Sequence, residues 1–417
     1  MPAFSSWLAA PAPAALIVTA PFLVVVVVYT ARRLLLLAAC LLPRRAADSR
    51  SDSRCDSPGD FLGDAGSREL PSMLVVVPAR NEGSAAARLL AGLDESEYPR
   101  DRLQIVLVDD GSADDTAERF RAWTRERPWA TLVELNSGGG KSAALRAGVA
   151  EGHRSELIAV VDADHRLRPD CLRRLARALE DDSVGAAAGF LQPINAGASF
   201  VSRYAALEAW VHQLVTSSGK DRLDLNPPML GGGCVYRRTA LESLGGFDPS
   251  SPVEDVTATV GLTRAGWRTR FVREAVIENV VVSRWRDYWF QHVRWGRNAL
   301  GSAGGHGIRS RAPLRRRLEG WMLSAGYLDR IAFVGVLVLG ASGLLSFWWA
   351  AAYVAVTTLD VAVALAAAGV LAQAPAYVLS LVLLFPLDIA GSLTATVAQL
   401  LRRPHGWRNP RARKGVL

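Results

Sequence analysis

Cysteine is scarce and unpaired in this chain. Cys40, Cys55, Cys171 and Cys234 show neither the close pairs of a zinc module nor the density of a disulfide framework. That spacing excludes a cysteine-built metal domain and leaves the four thiols as reduced bystanders. A Walker loop is also missing: Asn136–Leu145 reads NSGGGKSAAL, but the GxxxxGK[ST] spacing would need a glycine where Leu135 stands, so a P-loop ATPase is excluded. No segment recurs at a fixed period, which excludes a solenoid or propeller. Apolar periodicity is nearly absent from Pro43–Glu69, a Ser-, Asp-, Arg- and Gly-rich stretch that reads as a flexible linker.

Where apolar residues gather, they form runs of membrane length. Ala15–Thr30 approaches the roughly 20 residues that cross a bilayer, and Arg32, Arg33, Arg44 and Arg45 follow it, which places the next segment in the cytoplasm. A signal peptide would carry its basic residues before the run and a small-residue cleavage site after it, so an uncleaved anchor is expected. Ile331–Ala350, Ala352–Ala372 and Tyr377–Leu400 are further candidate spans. Their number conflicts with the basic tail, Arg402–Lys414, which prefers the cytoplasm and needs an even number of crossings after a cytoplasmic domain. Either one candidate is re-entrant or interfacial, or the tail lies outside. Asp360 and Asp388 fall inside these runs, as functional groups or as acids solvated or facing a partner helix. The net charge of +8 does not argue for nucleic acid, because much of the arginine excess flanks the apolar runs.

From Leu70 onward, short apolar runs alternate with helical patterns. Met73–Val77, Leu103–Val108, Thr131–Leu135 and Leu157–Val161 read as strands; Ser84–Leu93, Asp114–Arg127, Lys141–Glu151 and Pro169–Glu180 read as helices. The alternation predicts a doubly wound α/β unit. Beyond it, Ala198–Ser218 and Val253–Ala265 read as helices, and Leu230–Arg237 as a Gly-rich turn entering a strand. In Ser283–Asn298, Trp285, Tyr288, Trp289, Phe290 and Trp295 interleave with Arg284, Arg286, Arg294 and Arg297. That suits a helix at a membrane interface or an aromatic face docked on the core, and the two are compatible.

An open α/β sheet binds ligands at the carboxyl ends of its strands, and here those ends carry charge. Val75–Gly83 ends the first strand at Pro78 and opens a helix where backbone amides and Arg80 can meet an anion, with Glu82 beside them. Asp109 and Asp110 end the second strand; they suit hydrogen bonds to a base or ribose, or equally a helix-start turn. Lys141 stands at a helix start after three glycines, facing a diphosphate or solvent. Asp162 and Asp164 follow the fourth strand, and two hard oxygen ligands at that spacing suit Mg²⁺ or Mn²⁺ bridging to phosphates; a solvated loop is the alternative. His165 is a third candidate ligand or a structural histidine. Glu254 and Asp255 open a helix, where acids compensate the dipole or where Asp255 serves as a general base. Gln291, Arg294 and Trp295 offer an amide, a guanidinium for diphosphate and a ring for stacking.

Taken in order, VVVPARNE, VDDGS, DADH, GGGCVYRR, VED and QHVRW resemble family 2 glycosyltransferases of the GT-A fold. The likeness is to the membrane-bound branch that holds cellulose, hyaluronan and poly-N-acetylglucosamine synthases and ceramide glucosyltransferases. It spans Ser72–Asn298. The resemblance implies inverting, single-displacement transfer from a nucleotide-sugar, usually UDP-linked. By it, Pro78, Arg80, Glu82, Asp110, Lys141 and Asp162 bind the donor, Asp162 and Asp164 hold Mg²⁺ or Mn²⁺, and Asp255 is the base. Gln291, Arg294 and Trp295 line the diphosphate and acceptor site, and Gly231, Gly232 and Gly233 fall where the family has a small-residue acceptor loop. His292 departs from the family, which often has Gln or Arg there.

The expected organisation is a membrane anchor at 1–43, a linker at 44–69, a cytoplasmic catalytic domain at 70–300, an interfacial segment at 301–330, transmembrane helices at 331–400 and a basic tail at 401–417. The chain then reads as a multi-pass cell-membrane protein that takes a nucleotide-sugar donor and a lipid or polysaccharide acceptor, without nucleic acid. About four spans are few for a pore within one chain, so a polymer product would call for a homo-oligomer or a small membrane partner. The alternative is a non-catalytic membrane scaffold that retains the fold; the presence of every acidic motif argues against it.

Overall fold

The computed structural model of the chain describes residues 13–43, 69–136, 139–152, 155–248, 251, 253–302 and 310–401. The expected linker, apart from Glu69, and the basic tail beyond Leu401 lie outside the described residues.

In chain order the elements are α1 (Pro13–Leu41), β1 (Met73–Ala79), α2 (Gly83–Asp94), β2 (Leu103–Asp109), α3 (Thr116–Thr124), β3 (Ala130–Glu134), α4 (Lys141–Glu151), β4 (Leu157–Val160) and β5 (Arg166–Leu167). There follow α5 (Cys171–Ala178), β6 (Val184–Pro193), α6 (Phe200–Trp210), α7 (Ser218–Arg222), β7 (Cys234–Arg237), α8 (Arg238–Glu242), α9 (Glu254–Ala265), β8 (Arg268–Asn279) and α10 (Trp285–Ser302). The last helices are α11 (Leu314–Ser324), α12 (Leu328–Ala341), α13 (Trp348–Ala367) and α14 (Ala374–Leu400).

Eight strands form one sheet in the order β3-β2-β1-β4-β7-β6-β8-β5. The first four are parallel, as the alternation predicts; β7 then enters antiparallel to β4, with Val160 opposite Cys234. Both faces of the parallel half are buried, which is why its strands read as unbroken apolar runs. Leu74, Val76, Val106, Val108 and Ile158 pack with Leu145 of α4 and Leu207 and Trp210 of α6. Met73, Val75, Val77, Ile105 and Leu107 pack on Leu89 of α2, Phe120 of α3 and Leu175 of α5.

Strands β5, β6 and β8 are not foreseen in the sequence, and composition explains why. β6 opens VGAAAG, small residues of weak strand propensity, and β8 interrupts its apolar positions with five charged ones. α6 runs on through a π-helical stretch, Val211–Ser217, in which Gln213 bonds both the N–H (2.8 Å) and the carbonyl (3.1 Å) of Leu191 in β6.

Among the described residues, three helices are long and apolar enough to cross a membrane: Ile17–Leu41, Trp348–Ala367 and Leu371–Leu400. The expected span at Ile331–Ala350 is not one continuous helix, though its first part joins α11 in a bent pair that would count as a fourth span if the two cross together. Its helix stops at Ala341, because Gly343 turns left-handed at φ +76° and the Leu344 amide bonds back to the Leu339 carbonyl at 2.9 Å, a glycine cap that ends the run. What remains, α12, forms with α11 a pair bent by 67°. The two acids inside the apolar runs differ in surroundings. Asp388 faces a partner, the Arg330 guanidinium, while Asp360 is buried with Oδ1 unbonded.

Candidate active site

The carboxyl ends of β1, β2 and β4 open on one edge of the sheet. Because β7 runs antiparallel beside β4, the glycine turn before β7 returns to that same edge. This places residues from five distant segments together.

The first helix start differs from expectation. The amides of Asn81, Glu82 and Gly83 donate to Ser112 Oγ (2.9 Å), Thr116 Oγ1 (2.9 Å) and Asp114 Oδ2 (3.1 Å), so the VDDGSADDT loop, rather than an anionic ligand, satisfies them. Pro78 is buried in β1, Glu82 is half-buried, and Arg80 is exposed at the mouth. Asp110, buried at 3% exposure, accepts one hydrogen bond at each carboxylate oxygen, from the amides of Gly139 and Gly140, both at 2.9 Å. It is the clasp of the glycine loop, and its remaining lone pairs are the ones available to a base or ribose. Asp109 takes the turn reading, accepting from the Ser112 amide at 3.1 Å.

That clasp aims Lys141 into the site. Its ammonium lies 2.7 Å from Asp162 Oδ1, 2.5 Å from Glu254 Oε1 and 3.2 Å from the Gly231 carbonyl. Burial alone would push the Lys141 pKa down; Asp162 and Glu254 outweigh it and raise it, so the lysine is a fixed cation. Glu254, which sequence reasoning treats only as a helix-start acid, is thereby a member of the site. No spacing rule announces a partner 113 residues from Lys141.

Asp162, Asp164 and His165 bring one ligand atom each within 4.8 Å of one another. His165 is 3% exposed and its Nδ1 has no hydrogen-bond partner, an unmatched buried donor or acceptor that fits a ligating imidazole. Two carboxylate oxygens and an imidazole suit a divalent cation, and the mixed set suits Mn²⁺. Gly232 seals this cluster: a Cβ there would stand 2.8 Å from Asp162 Cγ and from the His165 ring.

Asp255 completes the edge. A Cβ on Gly231 would lie 3.3 Å from Asp255 Oδ2 and 3.7 Å from Lys141 Nζ, so the two groups flank one glycine. Asp255 Oδ1 accepts from the Val256 amide at 2.7 Å. Burial, reinforced by the neighbouring Glu254 carboxylate and opposed by Lys141, pushes Asp255 up to about 7, the range of a working base at neutral pH. Arg294 of α10 feels the charges of Asp255 and Glu254, although burial lowers its pKa. Gln291 is half-buried and Trp295 is 43% exposed on the same helix. In α10 Tyr288 is fully buried against the core, as the docked reading expects, while Trp285, Phe290 and Trp295 are exposed.

A family model described as Glycosyltransferase like family 2 matches residues 71–298. The probable glycosyltransferase YdaM of Bacillus subtilis (strain 168) is 30% identical over 234 residues, 55% of this chain and 56% of that protein. An N-acetylglucosaminyltransferase of Rhizobium meliloti (strain 1021) is 29% identical over 257 residues, 59% of each. The chain thus spans a little over half the length of the curated relatives it matches. Among solved structures, the mannosyltransferase PcManGT from Pyrobaculum calidifontis, in complex with GDP-Man and Mn²⁺, is 22% identical with a TM-score of 0.58; the match covers 92% of this chain and 100% of that one. At that identity the likeness speaks for the fold, and it bears out the GT-A expectation.

Proposed function

The chain belongs to the glycosyltransferase like family 2, and from that premise we propose that it moves a sugar from a nucleoside-diphosphate sugar to a membrane-associated acceptor with inversion at the anomeric carbon. One observation carries the reading: Asp255 and Lys141 flank Gly231, so a base and a phosphate-binding cation serve one pocket at the sheet edge.

In this mechanism the ionised Asp255 accepts the proton of the acceptor hydroxyl as its oxygen attacks the anomeric carbon, and the bond from that carbon to the diphosphate breaks. Lys141 and Arg294 supply positive charge to the departing diphosphate. Asp162, Asp164 and His165 would hold a divalent cation, Mg²⁺ or Mn²⁺, which when bound neutralises the same leaving group. Asp110, with the exposed Arg80 and half-buried Glu82 that follow the buried Pro78, forms the nucleotide side. Gly231, against Asp255 and Lys141, is where the acceptor approaches, whereas Gly232 closes on Asp162 and His165 and Gly233 on Ile277 and Leu191; Gln291 and Trp295 line the acceptor's path. The three membrane-length helices support a membrane location, and Arg44 and Arg45, which follow α1 in the sequence, support a cytoplasmic domain. The acceptor is a lipid or a growing polysaccharide.

The test incubates the detergent-purified full chain with UDP-N-acetylglucosamine, UDP-glucose or GDP-mannose, with Mn²⁺ and then with chelator. Triacetylchitotriose and dioleoylglycerol serve as acceptors, and products are read by mass spectrometry. Metal-dependent release of nucleotide with a glycosylated product is expected. No release from any donor, or equal release by Asp255→Asn, would overturn the proposal.

A further inference from the structure

Behind the active-site face of α10 lies a second group of titratable side chains. His292 is buried between three helices. Its Nε2 lies 3.1 Å from Glu208 Oε2 of α6, and its Nδ1 lies 3.0 Å from the Tyr288 carbonyl oxygen one turn earlier in α10. The same Glu208 oxygen accepts from the Tyr288 hydroxyl at 2.9 Å. A carbonyl oxygen only accepts, and so does an ionised carboxylate, hence both imidazole nitrogens face acceptors. A neutral ring would point a lone pair at one of them, so the geometry calls for a proton on each.

The remaining groups around the ring agree. From α12, Arg330 Nη2 stands 3.7 Å from Glu208 Oε1 and its Nε pairs with Asp388 of α14; from α6, the Tyr204 hydroxyl reaches Asp388 at 3.5 Å. With His292 neutral, Glu208 and Asp388 would share one guanidinium. Glu208 stays ionised because His292 and Arg330 outweigh its burial, and Glu208 in turn raises the His292 pKa against the opposing effect of burial.

The imidazole also lies against two rings. It stacks on Tyr288 with centroids 3.7 Å apart and planes 19° apart, and the Trp295 ring has its centroid 5.0 Å from that of the imidazole with the planes at 60°. We propose that His292 is a positioning residue of the acceptor site: held as an imidazolium by Glu208 and Tyr288, it fixes the Trp295 ring and so the aromatic face offered to the acceptor. This rests on the transferase reading for what Trp295 contacts, though not for the lock itself. The cation–ring contact ties the two functions of α10 together, anchoring to α6 and α14 on one side and acceptor contact on the other.

The test uses full-length protein in detergent, labelled with 5-fluorotryptophan and ¹³C-histidine. Trp295→Phe and His292→Gln assign the two resonances by loss. The His292 ring is expected to be doubly protonated at neutral pH and to titrate above the ordinary imidazole range, with the Trp295 resonance moving at the same midpoint. In His292→Gln the Trp295 resonance shifts and no longer titrates, whereas His292→Arg, which keeps the charge, holds it near its wild-type position. A neutral ring at pH 7, or a Trp295 resonance indifferent to both variants, would overturn the lock. With whichever of triacetylchitotriose or dioleoylglycerol the wild type glycosylates, His292→Gln should raise the acceptor KM roughly fivefold to tenfold at unchanged UDP affinity, and His292→Arg should restore it. An unshifted acceptor KM overturns the positioning role alone. A wild type that turns over neither acceptor overturns the transferase reading, while the resonances still decide the lock.

Discussion

The Lys141 ammonium occupies the Asp162 carboxylate at 2.7 Å, and Asp162 is also one of three groups able to hold a divalent cation. Two cations on one carboxylate repel each other, so in the donor-free protein Lys141 should compete with metal. Lys141→Met should therefore tighten Mn²⁺ binding to the donor-free protein, read by electron paramagnetic resonance. The same variant should weaken UDP binding by about tenfold, the scale of one lost charge-assisted contact to phosphate. Mn²⁺ and UDP affinities both equal to wild type would remove Lys141 from the donor site.

Asp255→Asn separates catalysis from helix capping. As general base, Asp255 is required ionised, so turnover should fall by on the order of a hundredfold or more with donor binding spared. In the wild type, activity should drop as pH falls through about 7, the value to which burial and Glu254 push this carboxyl. Stability moves the other way. A pKa raised from 3.8 to about 7 means the folded state holds the proton more tightly, so the stabilisation is full below the ordinary carboxylate range and is lost as pH rises to about 7. Asp255→Asn should consequently melt no lower than wild type at about pH 8 and lose that advantage near about pH 4. Near wild-type turnover, or an acid limb that survives the substitution, would exclude the base assignment.

The parallel half of the sheet was legible because burial on both faces leaves an apolar run that strand length and flanking turns delimit. The acidic motifs were legible because they sit where such runs end. What stayed hidden depends on distant partners. Glu254 gains a role only when α9 is brought to Lys141, and Glu208 only when α6 meets α10. The free amides expected at the start of α2 are already bonded by a loop 31 to 34 residues onward. Neither charge pattern nor periodicity encodes these meetings; they follow from which strands and helices come to lie side by side.

Asp164→Asn tests the metal cluster from the side that Lys141 does not touch. An amide oxygen is a poorer ligand for a hard cation than a carboxylate, so Mn²⁺ affinity and UDP-sugar binding should fall together, and excess chelator should abolish wild-type transfer. Calorimetry with and without Mn²⁺ makes the comparison. Full wild-type activity in chelator would rule out a required metal, and donor affinity unchanged in Asp164→Asn would free this carboxylate from the cluster.

Gly232→Ala asks whether the glycine turn is shaped for the site or merely for the chain. Gly232 has no left-handed backbone to lose, so the substitution adds only a methyl, and that methyl would stand 2.8 Å from both Asp162 Cγ and the His165 ring. The carboxylate and the imidazole must then move apart, and ligand geometry is unforgiving on that scale because displacement of a fraction of an ångström spoils both coordination and hydrogen bonds. Mn²⁺ affinity and turnover should each fall by about tenfold or more. Gly197→Ala is the control, since a Cβ there meets nothing within 4 Å and its backbone is not left-handed; it should leave melting temperature and turnover at wild-type values. If Gly232→Ala behaves like Gly197→Ala, then Asp162 and His165 are not held against the turn, and the metal cluster must be assembled some other way.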